Sequence, residues 1–139
     1  MSIEINIIDN DFPIQRESLS MAYVVCFYQW KILFVREFEK DVWSLTGGER
    51  YEDESIWECA KRQLAEQTGI EDTPLKFQFN FQFIDSLTQK SQYGSVFKTS
   101  ISSLPTSLPE SEIEEVKIFE EIPDNLEFEY FQDIIENID

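Results

Sequence analysis

One stretch of this chain has a period unlike everything around it. From Ser55 to Thr68 the apolar residues Ile56, Trp57, Ala60 and Leu64 recur at three- and four-residue steps, the signature of a helix with one buried side. Ser55 with Glu58 three residues on has the pattern of a capping box, and Gly69 is placed to end the helix. On both sides the pattern reverts to strands. Ile3 to Ile7 alternates apolar and polar residues. Met21 to Tyr28 and Ile32 to Phe38 are apolar, β-branched and aromatic, and Gln29-Trp30-Lys31 between them suggests a hairpin. A helix embedded among strands needs a sheet to cover.

The remaining elements fit that plan. Asp9 to Ser18, broken by Pro13, reads as a connection, and Val42 to Leu45 as a short strand entering the pair Gly47-Gly48. Phe77 to Phe83 alternates cleanly, with Ser95 to Ile101 as its partner. Ser102 to Ser111, carrying Pro105 and Pro109, is a loop, and Val116 to Phe119 a last strand. Pro123-Asp124-Asn125 is expected to open a terminal helix that buries Phe128, Phe131, Ile135 and Ile138. The order suits a mixed β-sheet covered on both faces, an α/β fold in one domain spanning 1–139. Trp43, Trp57 and the phenylalanines of 77–83 are expected in its core.

Charge narrows the chemistry. A net −17 on 139 residues opposes nucleic-acid binding through phosphates, and between Glu110 and Asp139 the only basic residue is Lys117. Hydrophobic residues at 42% and aromatics at 14% still imply a packed core. No apolar run reaches the roughly 20 residues of a membrane helix, and no export signal is evident, so a soluble cytoplasmic protein is expected. Cys26 and Cys59 sit in apolar patterns and read as reduced. With no histidine in the chain, a catalytic metal would be a hard cation held by oxygen, magnesium or manganese.

The chemistry-bearing segment runs from Gly48 to Ile70. At about 100° per residue, positions 63, 66 and 67 project from one side of the helix, at the rim of its apolar stripe. Three carboxylates there would nest divalent cations able to bridge a diphosphate and activate water. A glycine carbonyl ahead of the helix, in a tight turn at Gly47, could approach such a cation closely. Gly48, five residues, Glu54, seven residues, Arg62, then Leu64, Glu66, Gly69 and Ile70 resemble the Nudix box. Gln63 and Gln67 stand where that box has glutamate.

The resemblance implies a Nudix-like α/β/α sandwich with a central mixed sheet. It also implies hydrolysis of a nucleoside diphosphate linked to another moiety, by metal-assisted attack of water on phosphorus. On this reading the Gly47 carbonyl, Glu66 and Gln67 match metal ligands, Gln63 a ligand or base, and Glu54 and Arg62 the residues that brace the loop. A neutral amide offers a hard cation one oxygen and no charge, so a weak Mg or Mn site is expected, with no ionisable base at 63. Glu112 and Glu115 are the candidates for a further carboxylate, and Glu52 and Asp53 also lie close in sequence. Glu66 could instead simply pair with Arg62 four residues earlier. Trp30 and Tyr93 are candidates to stack on a base, and Lys31, Arg36, Arg50 and Lys98 to meet phosphates. The expected partner is a nucleotide-type small molecule, neither nucleic acid nor membrane, and homodimerisation is left open. The rival expectation is a lapsed Nudix-fold nucleotide-binding or regulatory module.

Overall fold

A computed structural model describes residues 3–9 and 13–139. Its elements are β1 (Ile3–Ile8), a short 3-10 turn (Arg16–Ser18), β2 (Leu19–Tyr28), β3 (Lys31–Glu37), β4 (Thr46–Glu49), α1 (Ile56–Thr68), β5 (Lys76–Asp85), β6 (Lys90–Ile101), β7 (Ile113–Phe119) and α2 (Tyr130–Glu136). The strands form one mixed sheet in the order β1-β5-β6-β2-β3-β7, with β4 paired to β2 beside that path. Among the strands of the described residues only β2 and β6 run parallel; the other strand pairings are antiparallel. Among the described residues no helix is long and apolar enough to cross a membrane.

Alternation along β2 sorts the core into two layers. Ala22 and Val24 face α1, packing on Cys59, Ala60 and Leu64, while Cys26 continues that face against Leu33, Val35 and Ile113. Met21, Tyr23 and Val25 face the other way, onto Trp43, Phe79, Phe81 and the α2 residues Tyr130, Phe131 and Ile134. Within this second layer the Tyr23 and Tyr130 hydroxyls share a 2.7 Å hydrogen bond, which satisfies two groups that burial would otherwise leave unpaired. The result is the α/β/α sandwich.

Helix α1 forms as its pattern predicts. Ser55 Oγ accepts from the Glu58 N–H, Glu58 Oε1 accepts from the Ser55 N–H, and Gly69 closes the helix at φ 79°. The strands at 3–8, 19–28, 31–37, 76–85, 90–101 and 113–119 also lie where expected, several of them longer.

Several details differ, each for a local reason. Val42 to Leu45 is not a strand: Trp43 and Ser44 make single bridges to Leu126 and Val35. Gly47 and Gly48 do not make a tight turn; they are extended in β4, opposite Tyr23 and Ala22. The terminal helix starts seven residues late. Backbone groups of 125–127 bond to Trp43 instead of to each other, with Trp43 N–H to Asn125 O at 2.9 Å and Glu127 N–H to Trp43 O at 2.8 Å. Trp57 is 46% exposed, fronting a cavity rather than the core. Phe77 is also exposed, because a bulge between Phe77 and Phe79 turns it to the side opposite Phe79 and Phe81.

Candidate functional site

The fold brings the rim of α1 against β4. The edge of β2 is shared, with β4 along Met21–Val24 and β3 at Phe27 and Tyr28. Thr46 fixes the start of β4 through its Oγ1, which donates to the Val24 carbonyl at 2.9 Å. Gly47 then lies under α1 at φ 150°, in a region that only glycine adopts without strain. A Cβ on Gly47 would sit 2.3 Å from the Ala22 carbonyl oxygen, and one on Gly48 would sit 2.6 Å from Gln63 Nε2. Gly47 is therefore required by close approach of backbone, not by a turn; at Gly48 the neighbour is the tip of a flexible side chain.

Two glutamine side chains fill the gap between helix and strand. Gln67 Nε2 donates to the Gly47 carbonyl at 2.9 Å and to Gln63 Oε1 at 3.0 Å. Gln67 Oε1 accepts from the Gly47 N–H at 3.3 Å. Gln63 Nε2 donates onward to the Glu49 carbonyl at 3.2 Å. The chain of donors and acceptors admits one orientation of each amide, since flipping Gln67 would set oxygen against the Gly47 carbonyl and N–H against N–H. Gln67 is only 8% exposed, so its part of the relay is sheltered from water, while the outer bond from Gln63 to Glu49 lies at the surface.

Arg62 and Glu54 brace the loop beside it. Arg62 Nε and Nη2 grip the Glu54 carboxylate, at 3.0 and 2.7 Å for the shorter contacts, while Nη2 also reaches the Glu49 carbonyl at 2.9 Å. The guanidinium holds the Glu54 carboxyl below the usual carboxylate range, and the same pair raises Arg62. The guanidinium lies over the Tyr51 ring, 3.7 Å from its centre. Glu66 points outward, 50% exposed, and takes the ion pair with Arg62 at 2.9 Å. It does not join the amide relay. Gly69 does its expected work as the left-handed stop of α1.

The other candidates are placed elsewhere or already engaged. Glu115 pairs with Arg36 at 3.2 Å beside Glu114 at 2.7 Å. Arg36 in turn lies over the Trp43 ring, on the sheet face opposite α1. Glu112 is exposed just before β7, and its backbone carbonyl accepts from the Phe38 N–H. Lys31 pairs with Glu120, and Lys98 bonds a backbone oxygen of Asp139. Arg50, read from sequence as a candidate for phosphate, spends its guanidinium on the backbone carbonyls of Glu17, Leu19, Tyr51, Glu52 and Glu54. It is a staple between the 50–55 loop and the start of β2, which no periodicity in the sequence could have revealed. Trp30 is 78% exposed at the hairpin tip, and Tyr93 is half-buried in β6.

The donor set does not fit a divalent cation as it stands. The Gly47 carbonyl and Gln63 Oε1 already accept from Gln67, Gln67 Oε1 accepts from Gly47, and the Glu66 carboxylate is held by Arg62. Among the described residues no three acidic or cysteine side chains come together as a metal site. A hard cation prefers several anionic oxygens; here one carboxylate stands apart, and the oxygens of the relay already face amide N–H groups.

Solved structures of low sequence identity share this fold. The Bacillus subtilis pyrophosphohydrolase BsRppH is 21% identical and superposes with a TM-score of 0.69, over 88% of this chain and 74% of that one. A MutT NUDIX hydrolase from Burkholderia pseudomallei is 17% identical, with a TM-score of 0.70 over 86% and 96%. The NUDIX domain of Shewanella oneidensis NrtR, solved in complex with ADP ribose, is 22% identical, with a TM-score of 0.67 over 94% and 90%. No curated protein matches the chain by sequence. The family model for the NUDIX domain matches residues 19–131, from β2 into α2, and with the box braced as described the chain belongs to the Nudix hydrolase family.

Proposed function

We propose that this domain binds a nucleotide-type ligand on the Nudix framework without efficient metal-assisted cleavage of it. The observation that carries the reading is the Gln67 carboxamide bonded to the Gly47 carbonyl and to Gln63. Cleaving a diphosphate at useful rates calls for cations that offset its charge and activate water. That task needs anionic ligands at 63 and 67, and a base that can take a proton. Neutral amides tied to each other and to the backbone supply neither. The Shewanella domain held with ADP ribose supports the choice of ligand class.

A second reading, slow hydrolysis of a nucleoside diphosphate linked to another group, draws on one specific observation. The Glu54–Arg62–Glu66 brace of the box is complete, so Glu66 and the Gly47 carbonyl could serve a weak Mg or Mn site if the relay opened.

Calorimetry with ADP ribose, with and without magnesium, and a turnover assay with magnesium and manganese across several nucleotides separate the two. Binding that is indifferent to magnesium, with no turnover, supports the binding module. Turnover by the wild type that disappears in Glu66→Ala establishes the hydrolase. Metal-dependent turnover gained only in the double variant Gln63→Glu, Gln67→Glu marks a lapsed enzyme. A wild type that neither binds nor cleaves any nucleotide sinks the ligand class.

A further inference from the structure

Helix α1 has a second flank. Lys61 precedes Gln63 by two residues, about 200° around the helix, so it faces away from the amide relay. On this flank a cavity of about 480 Å³ opens between α1 and the segment 70–75, within the general size range of small-molecule sites. Its apolar lining includes Leu64, Ile70 and Leu75, and its wall is the Trp57 indole. Lys61 Nζ sits 4.8 Å from the centre of the indole ring. In a chain of 28 acidic and 11 basic residues, this ammonium makes no ion pair among the described residues and lies over the indole ring. Glu71 and Asp72 line the cavity from the facing segment, and Glu58 and Arg62 line it from α1.

We propose that this cavity is a binding site for a planar aromatic ring bearing a single anionic group, separate from the Nudix-box face. The Trp57 indole is 46% exposed at the cavity wall; Lys61 Nζ covers one of its faces, and a ligand ring can stack on the other. Lys61 makes no ion pair among the described residues, so the anionic group is drawn to the same end. Glu71 and Asp72 repel an anion and accept N–H donors, which directs the ring's amino edge toward them and its charge away. A ligand with several phosphates is disfavoured here, because the acidic Glu58, Glu71 and Asp72 line the cavity with Lys61, and Arg62, the other basic residue there, is already paired with Glu54 and Glu66.

AMP is the probe, with adenosine lacking the charge and ribose 5-phosphate lacking the ring. Calorimetry on the full chain is expected to show one AMP site. Trp57→Ala should weaken it roughly 5- to 150-fold, the usual cost of losing a stacking platform, and Trp57→Phe should restore most of that. Lys61→Ala should weaken AMP roughly threefold while leaving adenosine unchanged. Both side chains are exposed or half-exposed, so neither variant endangers folding. AMP binding that is absent from the wild type, or equal in Trp57→Ala, overturns the site. So does ribose 5-phosphate binding as tightly as AMP, since the ring would then be idle. ADP ribose binding should survive Trp57→Ala and Lys61→Ala, since that ligand is assigned to the box face; loss of ADP ribose binding together with AMP binding in Trp57→Ala overturns the separateness of the cavity, whereas loss of AMP binding alone leaves the reading of the box face intact.

Discussion

Replacing Gln67 by glutamate changes one group and inverts the logic of the relay. The native amide donates twice, to the Gly47 carbonyl at 2.9 Å and to Gln63 Oε1 at 3.0 Å, and accepts once from the Gly47 N–H. A carboxylate keeps the acceptance and loses both donations. Its second oxygen then faces two other oxygens in a position where Gln67 is 8% exposed. Leaving buried groups unsatisfied costs about 1–3 kcal/mol apiece; with part of the loss relieved by rotation of Gln63, about 3 kcal/mol is expected for Gln67→Glu. For a domain of this length that is a fall in Tm of roughly 10 °C, at about 3–4 °C per kcal/mol. A divalent cation between the new carboxylate and the Gly47 carbonyl removes the repulsion. At a concentration of about 100 times its Kd it returns about 2.7 kcal/mol. Thermal melts at neutral pH in EDTA and in manganese therefore test the reasoning without any substrate. The wild type should melt at the same temperature in both, whereas the variant should melt low in EDTA and recover in manganese. A variant as stable as the wild type in EDTA, or a wild type stabilised by manganese as strongly as the variant, refutes the idea that the amide stands in for a cation.

Two further outcomes follow from neighbouring geometry. Gly47→Ala should cost about 3 kcal/mol or more, because the new Cβ meets the backbone of Ala22 and Tyr23 and φ is 150°. Gly48→Ala meets only the tip of Gln63, and chemical denaturation should show a loss about half as large. Acid titration followed by circular dichroism reports on Glu54. Its carboxyl is depressed in the folded state by Arg62, so the stability it contributes is full above the unfolded carboxylate range and is lost as pH falls through and below it. Glu54→Gln should accordingly be less stable than the wild type at neutral pH, and the gap should close on acidification below pH of about 4. A gap that stays constant with pH would mean the pair contributes through packing alone.

What could be read from residues in order was whatever depends on local period and on spacing. The amphipathic stripe of 55–68, the reciprocal cap at Ser55 and Glu58 and the left-handed stop at Gly69 are local events, and they appear where their pattern places them. The Glu54–Arg62 brace follows from fixed spacing across one loop and one helix, and so does the closeness of 63 and 67. Which groups those side chains meet was a tertiary matter. That Gly47 is extended opposite Tyr23, and so presents both its N–H and its carbonyl to Gln67, depends on β4 pairing with β2. That 125–127 bonds to Trp43 rather than coiling depends on a partner about 80 residues away, and Arg50 finds Leu19 and Glu17 at separations of 31 and 33 residues. The charge of the relay was visible in the letters; its closure was not, because a hydrogen bond between distant residues leaves no period behind it.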